Sequence, residues 1–250
     1  MDLGLAGKVA LIAGASHGIG HATALVLAEE SCSLVLAARG QDALRQAASE
    51  VEAKGAEALA VPCDLTIASD AERLVESALG RFDRIDILIN SIHFSAPGDA
   101  DEVWRQSFDI LFLPAARLTR LVTPHMREGG SIIHLSSIYG REAGGRPGYN
   151  AMKAALISHA KAMAIELAPH NIRVNTVAPG SISHPGGTWW KRQQEDPEAM
   201  ASFVKENIPM GRFGTAEEVA NVIAFVCSVR ASWVTGATIV VDGGQGRSNI

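Results

Sequence analysis

Lys8-Val9-Ala10-Leu11-Ile12-Ala13-Gly14-Ala15-Ser16-His17-Gly18-Ile19-Gly20, running on into His21-Ala22-Thr23-Ala24-Leu25-Val26-Leu27-Ala28, decides how this 250-residue chain is read. The apolar run from Val9 to Ala13 is too short to span a bilayer and suits a strand buried on both faces. Glycines at 14, 18 and 20 let the backbone turn tightly after it, and a helix-compatible run follows at once. The free N–H groups and positive end of such a helix, approached closely through Gly14, Ser16, His17, Gly18, Ile19 and Gly20, suit a pyrophosphate. The spacing is GxxxGxG rather than GxGxxG, so taken alone it is also legible as a plain glycine-rich turn.

Outward from this segment, short apolar runs alternate with amphipathic stretches to the end of the chain, the pattern of repeated strand-helix-strand units on a parallel sheet. Strands are expected at about 8–13, 33–38, 57–62, 85–90, 130–136, 171–177 and 237–241, with helices at about 19–30, 41–54, 67–80, 103–126, 148–168 and 215–229. No linker, repeat or low-complexity tract divides residues 1–250, so the expectation is a single α/β domain with a Rossmann-type doubly wound sheet. One long interruption, from Ser181 to about Asp196, reads as a loop, and the region of about 181–206 as a lid over a ligand.

A content of 47% hydrophobic and 20% charged residues suits a globular protein with a sizeable core. The net charge of −5 supplies no basic stripe for a phosphate backbone, which argues against nucleic acid as partner. No apolar stretch is long enough to span a membrane. Cys32, Cys63 and Cys227 are scattered and odd in number, which suggests no disulfide framework and no metal site, and suits a reducing cytoplasm.

At the end of the second expected strand, Leu36-Ala37-Ala38-Arg39-Gly40 offers no carboxylate for the adenosine ribose, while Arg39 suits a bidentate pair with a 2'-phosphate. NADP(H) is therefore preferred over NAD(H). His17 is either a weaker donor to that cofactor or a solvated loop histidine. Tyr149 and Lys153 stand four apart on an expected helix and share a face. A phenol with its ordinary pKa near 10 is a poor acid-base catalyst at neutral pH, and an adjacent ammonium stabilises its anion. Ser137, twelve residues before Tyr149 at a strand end, is placed to hold a substrate oxygen. Ketone or aldehyde and alcohol interconversion by hydride transfer is the chemistry these residues suit.

The order of these segments resembles the short-chain dehydrogenase/reductase family, and within it the 3-oxoacyl-acyl-carrier-protein reductases, nearly end to end. The resemblance rests on Gly14 to Gly20, Cys63-Asp64-Leu65, Asn90, Ser137, Tyr149 to Lys153, Asn175-Thr176-Val177-Ala178-Pro179-Gly180, Gly211-Arg212-Phe213-Gly214 and Val241-Asp242-Gly243-Gly244. It implies seven parallel strands and a homotetramer built through the helix of Tyr149 and the last strand. It implies that Tyr149 transfers the proton, Ser137 orients the carbonyl, and Lys153 grips the nicotinamide ribose while lowering the tyrosine pKa. Asp64 and Leu65 would lie by the adenine, Asn90 would shape the cleft, and Pro179, Gly180 and Ile182 would lie beside the nicotinamide.

The chain departs from the family pattern at Ala13, at Asn90-Ser91-Ile92-His93, at Leu111 in place of a helix asparagine, and at His184 in place of a threonine. These are either tolerated drift or, at His93 and His184, groups that bind a polar part of the substrate or conduct protons. Trp189 and Trp190 suggest an apolar substrate wall or an interface. Leu111 and the altered Asn90 segment also leave open a nucleotide-binding subunit with weakened turnover, or an isomerase or dehydratase on the same fold.

Overall fold

The computed structural model describes residues 1–126 and 129–249. Its strands are β1 (Val9–Ala13), β2 (Ser33–Ala38), β3 (Ala58–Pro62), β4 (Ile87–Asn90), β5 (Gly130–Leu135), β6 (Ile172–Pro179), β7 (Ile182–Ser183), β8 (Gly214–Thr215) and β9 (Thr238–Val241). Its helices are α1 (Gly18–Glu29), α2 (Gln41–Ala53), α3 (Ala68–Phe82), α4 (Asp101–Ser107), α5 (Leu113–Val122), α6 (Pro147–Leu167), α7 (Thr188–Glu195), α8 (Pro197–Asn207) and α9 (Ala216–Cys227). Seven strands form one parallel sheet in the order β3-β2-β1-β4-β5-β6-β9. The chain builds one side of β1, then crosses to β4 and builds the other, as a doubly wound sheet does.

The period-2 geometry of a strand explains why β1 is apolar throughout. Ala10 and Ile12 join one core, beneath α1, α2 and α9, while Val9, Leu11 and Ala13 join the other, beneath α3, α5 and α6. Leu11 and Ile12 are wholly buried, and burying one such side chain stabilises by about 1.5–3 kcal/mol. Among the described residues no helix is long and apolar enough to cross a membrane.

Two expectations need correction. The single helix foreseen at about 103–126 is three pieces: α4, a π-helical turn over Phe108–Phe112, and α5, with a 3-10 turn at Thr123–His125 after it. Pro114, lacking an N–H, sits in the first turn of α5, where no intrahelical partner is needed. Leu111 is buried inside the π turn.

The interruption at 181–196 is not a loop throughout. Ile182–Ser183 pairs with Gly214–Thr215, and Thr188–Glu195 is helical. Pro185, Gly186 and Gly187 hid that helix from a periodicity search. It is held by Trp189, whose ring stacks on Phe203 of α8 at 4.7 Å between centroids and lies 5.3 Å from Phe213.

Candidate active site

The strand order reverses between β1 and β4, and the crevice at the C-terminal ends of these strands is where such sheets take ligands. A cleft of about 640 Å³ opens there, running from Arg39 past the glycine loop to Lys153, His184 and Trp189. The glycines are required by geometry. Gly14 has φ +84°, and a Cβ on it would stand 2.6 Å from the Ser91 carbonyl oxygen. A Cβ on Gly20 would stand 2.1 Å from the Gly14 carbonyl oxygen, so Gly20 lets α1 start directly under the loop.

The donor set at that point fits a pyrophosphate. His17, at the N-cap of α1, caps it with no side-chain hydrogen bond, and no carboxylate lies in the first turn. The first N–H groups therefore face the cleft with the positive helix end behind them. Gly14, Ser16, His17, Gly18 and Ile19 all line it. The exposed His17 ring lies 3.0 Å from the Ser16 hydroxyl.

At the far end, Arg39 is exposed at the mouth, just beyond β2, and makes no ion pair among the described residues. Asp64 and Leu65 line the same end. Asp64 Oδ1 accepts from the Thr66 N–H and hydroxyl, which holds the turn after β3 in place.

α6 and the end of β5 shape the other end. Pro147 occupies the first turn of α6, and Tyr149 and Lys153 follow on its inner face. Lys153 is buried, and its ammonium donates to the Leu135 carbonyl at 2.6 Å and, more weakly, to the Ile92 carbonyl at 3.5 Å. With no carboxylate beside it among the described residues, burial pushes the lysine down to about 7. The ammonium lies 5.6 Å from the centre of the Tyr149 ring. Burial pushes the Tyr149 phenol above its usual value, and a hydrogen bond with the Ser137 hydroxyl works in the opposite direction. The lowering of the tyrosine by Lys153 expected from the sequence is therefore not met: in this structure desolvation is the larger effect.

Pro179, Gly180, Ile182, His93, His184 and Trp189 complete this end. The His93 ring meets the Tyr149 ring edge-on at 5.6 Å. It keeps a face open to the cleft, yet desolvation pushes it down to about 4, helped by Lys153 and His184, so it is neutral at pH 7. His184 lies over the glycine loop, its Nε2 2.7 Å from where a Gly18 Cβ would stand.

Five residues expected at the site do not line the cleft: Gly20 lies under the glycine loop, Ser137 and Tyr149 adjoin the lining residues Ser136 and His93, and Trp190 and Asn90 stand elsewhere. The Trp190 ring does not line the cleft and is 39% exposed. Asn90 is buried below the cleft, whose wall there is Ser91 and Ile92; its Nδ2 lies 3.1 Å from His134 Nδ1.

Sequence reasoning passed over His134 and His159, which read as apolar-strand and helix positions. The signal was present as a histidine inside Ile132-Ile133-His134-Leu135. It also passed over the C-terminal tail, where the buried Gln245 accepts from the Ser181 N–H at 2.7 Å and Glu142 accepts from the N–H groups of Arg247 and Ser248.

Comparison with known proteins agrees along almost the whole chain. Residues 14–245 match the family model described as enoyl-(acyl carrier protein) reductase. The chain is 38% identical over 251 residues to human dehydrogenase/reductase SDR family member 4, covering 96% of this chain and 88% of that protein. It is 35% identical to the 3-oxoacyl-acyl-carrier-protein reductase of Thermotoga maritima, covering 96% of this chain and 98% of that one. Among solved structures, L-sorbose reductase from Gluconobacter frateurii, complexed with NADPH and L-sorbose, superposes with a TM-score of 0.94 at 37% identity. That match covers 99% of this chain and 100% of that one.

Proposed function

Since the chain belongs to the short-chain dehydrogenase/reductase family and is an NAD(P)-dependent oxidoreductase, we propose that it reduces a small polar ketone or aldehyde with NADPH, using Tyr149 as the acid. The observation that carries this reading is the grouping of Tyr149, its Ser137 hydroxyl partner and the buried Lys153, of which Lys153 lines the inner end of the glycine-lined cleft and Tyr149 meets the lining residue His93. When bound, the reduced nicotinamide supplies a hydride to the carbonyl carbon. Ser137 and Tyr149 hold the carbonyl oxygen by their hydroxyls and polarise it. With its pKa raised by burial, Tyr149 is protonated at neutral pH, the form a proton donor needs. Lys153, fixed by the Leu135 carbonyl, is placed to hold the cofactor ribose. Neutral His93 offers one donor and one acceptor beside Tyr149, which suits a hydroxyl neighbouring the carbonyl. The L-sorbose complex of the similar reductase supports a hydroxylated ketone as substrate class. Exposed Ile165 on α6, Phe225 on α9 and Trp233 just before β9 supply apolar surface for the homotetramer that the family resemblance implies.

Cofactor choice rests on Arg39. Rates with NADPH and NADH are compared on a panel that includes L-sorbose and an acetoacetyl thioester, read by loss of nicotinamide absorbance. NADPH is expected to be preferred, and Arg39→Ala to weaken NADPH alone by about 1–3 kcal/mol, the scale of a charge-assisted contact. Equal losses with both cofactors would refute a pairing of Arg39 with the 2'-phosphate.

A further inference from the structure

β6 and β9 run side by side as far as Pro179 and Val241, and the Gly180 N–H still reaches the Val241 carbonyl at 3.0 Å. There the ladder stops. The next donor, the buried Ser181 N–H, has passed the last strand partner on β9, and such a donor left unpaired is costly. A side chain meets it instead: Gln245 Oε1 accepts from it at 2.7 Å, and Gln245 is itself buried.

The sequence after β9 brings that side chain back. Gly243 and Gly244 have φ of +63° and +82°, two consecutive left-handed residues that reverse the chain. Asp242 pins the turn, accepting from the Gly244 N–H at 2.9 Å and from the Gly246 N–H at 2.6 Å. The approach is close: a Cβ on Gly180 would stand 2.7 Å from Gln245 Oε1.

Beyond Gln245 the tail is fastened a second time. Glu142 Oε2 accepts from the N–H groups of Arg247 and Ser248, at 2.7 Å and 3.0 Å. Glu142 belongs to the turn that follows Ser137, its own N–H donating to the Ile138 carbonyl at 3.1 Å. A Cβ on Gly246, between the two fastenings, would stand 3.6 Å from Ile138 Cγ2. The tail therefore straps the end of β6 to the turn that carries Ser137. None of its described residues lines the cleft, so any effect on a ligand passes through the segments it holds.

With Arg39 assigned to the 2'-phosphate and the glycine loop to the pyrophosphate, the nicotinamide falls to the end where Lys153, Pro179, Gly180 and Ile182 line the cleft. We propose that Gln245 is a positioning residue, which through the Ser181 N–H fixes residues 179–182 against the nicotinamide, and that Glu142 keeps it in place by clasping the tail. The proposal rests on the reading of the cleft as an NADPH site, and is independent of Tyr149 as the acid.

Titration with two ligands tests it without any ketone: NADPH, and the same molecule lacking its nicotinamide, 2'-phospho-ADP-ribose. Gln245→Met keeps the length of the side chain and exchanges the strong acceptor for a thioether. It should weaken NADPH on the order of tenfold, the scale of one hydrogen bond, and leave the fragment at wild-type affinity. Gln245→Glu, which still accepts, should restore NADPH binding. Glu142→Ala should weaken NADPH in the same direction, and the double variant should lose no more than Gln245→Met alone, because the clasp acts through Gln245. In folded protein, equal losses for NADPH and the fragment, losses from the two sites that multiply, or an unchanged NADPH affinity in Gln245→Met overturn the strap. If Gln245→Met does not fold, Glu142→Ala decides: weaker NADPH with an unchanged fragment upholds the proposal, and unchanged NADPH overturns it. A wild-type protein that binds neither ligand would sink the reading of the cleft itself, and the proposal with it.

Discussion

Tyr149→Phe is expected to lower carbonyl reduction by on the order of 10²–10⁴ while NADPH affinity stays close to wild type. The substitution keeps the ring that meets His93 and lies under the Lys153 ammonium, and removes only the hydroxyl that Ser137 engages. Lys153→Ala should damage both rate and cofactor binding, since one ammonium serves both, and should also cost stability by leaving the Leu135 carbonyl without its partner. The two effects pass through a shared site, so the double variant should lose much less than the product of the two single losses. Multiplicative losses, measured where hydride transfer limits turnover, would show that the two side chains act independently.

Gly20→Ala is expected to be the most damaging single methyl in the molecule. The new carbon would stand 2.1 Å from the Gly14 carbonyl oxygen, a backbone atom between β1 and α1 that cannot rotate away. Either α1 or the glycine loop must shift, at a cost at or above the top of the usual range of about 1–3 kcal/mol for overpacking. NADPH binding should be lost with the shift, because the loop is what presents its N–H groups to the pyrophosphate. Gly80→Ala is the matched control. Gly80 is exposed on α3, its Cβ would meet nothing within 4 Å, and the substitution should stabilise by about 0.4–1 kcal/mol. Denaturant midpoints and NADPH titrations of the two variants check both statements; a Gly20→Ala protein with wild-type stability and affinity would contradict this account of the loop.

How much of this was legible beforehand depended on whether the signal was local. The strand before Gly14 and the glycines at 14, 18 and 20 were readable, because a doubly buried strand must be apolar and a close backbone approach must lack Cβ. Tyr149 and Lys153 were readable as a pair because four residues are one helical turn. The π turn at Phe108–Phe112 was not, since one extra residue in a turn leaves the apolar pattern almost unchanged. α7 was missed because Pro185, Gly186 and Gly187 precede it and because its one packed aromatic, Trp189, finds its partners on α8 and at Phe213. Asn90, His134 and His159 come from β4, β5 and α6, so their association follows from strand register, which no spacing along the chain expresses. The direction of the Tyr149 shift was likewise hidden, because it depends on how deeply α6 buries the phenol.

The central claim is hydride transfer between a nicotinamide and a carbonyl carbon, and the most direct measurement follows the hydrogen itself. The protein is supplied with NADPH carrying deuterium at nicotinamide C4, each stereoisomer in turn, together with the best ketone of the panel, and the product is read by mass spectrometry and NMR. The account predicts that one stereoisomer alone delivers its deuterium, that the label appears on the carbinol carbon, and that one NADPH is oxidised per alcohol formed. Product formed without label and without net oxidation of NADPH would contradict it and mark the protein as an isomerase or dehydratase on this fold.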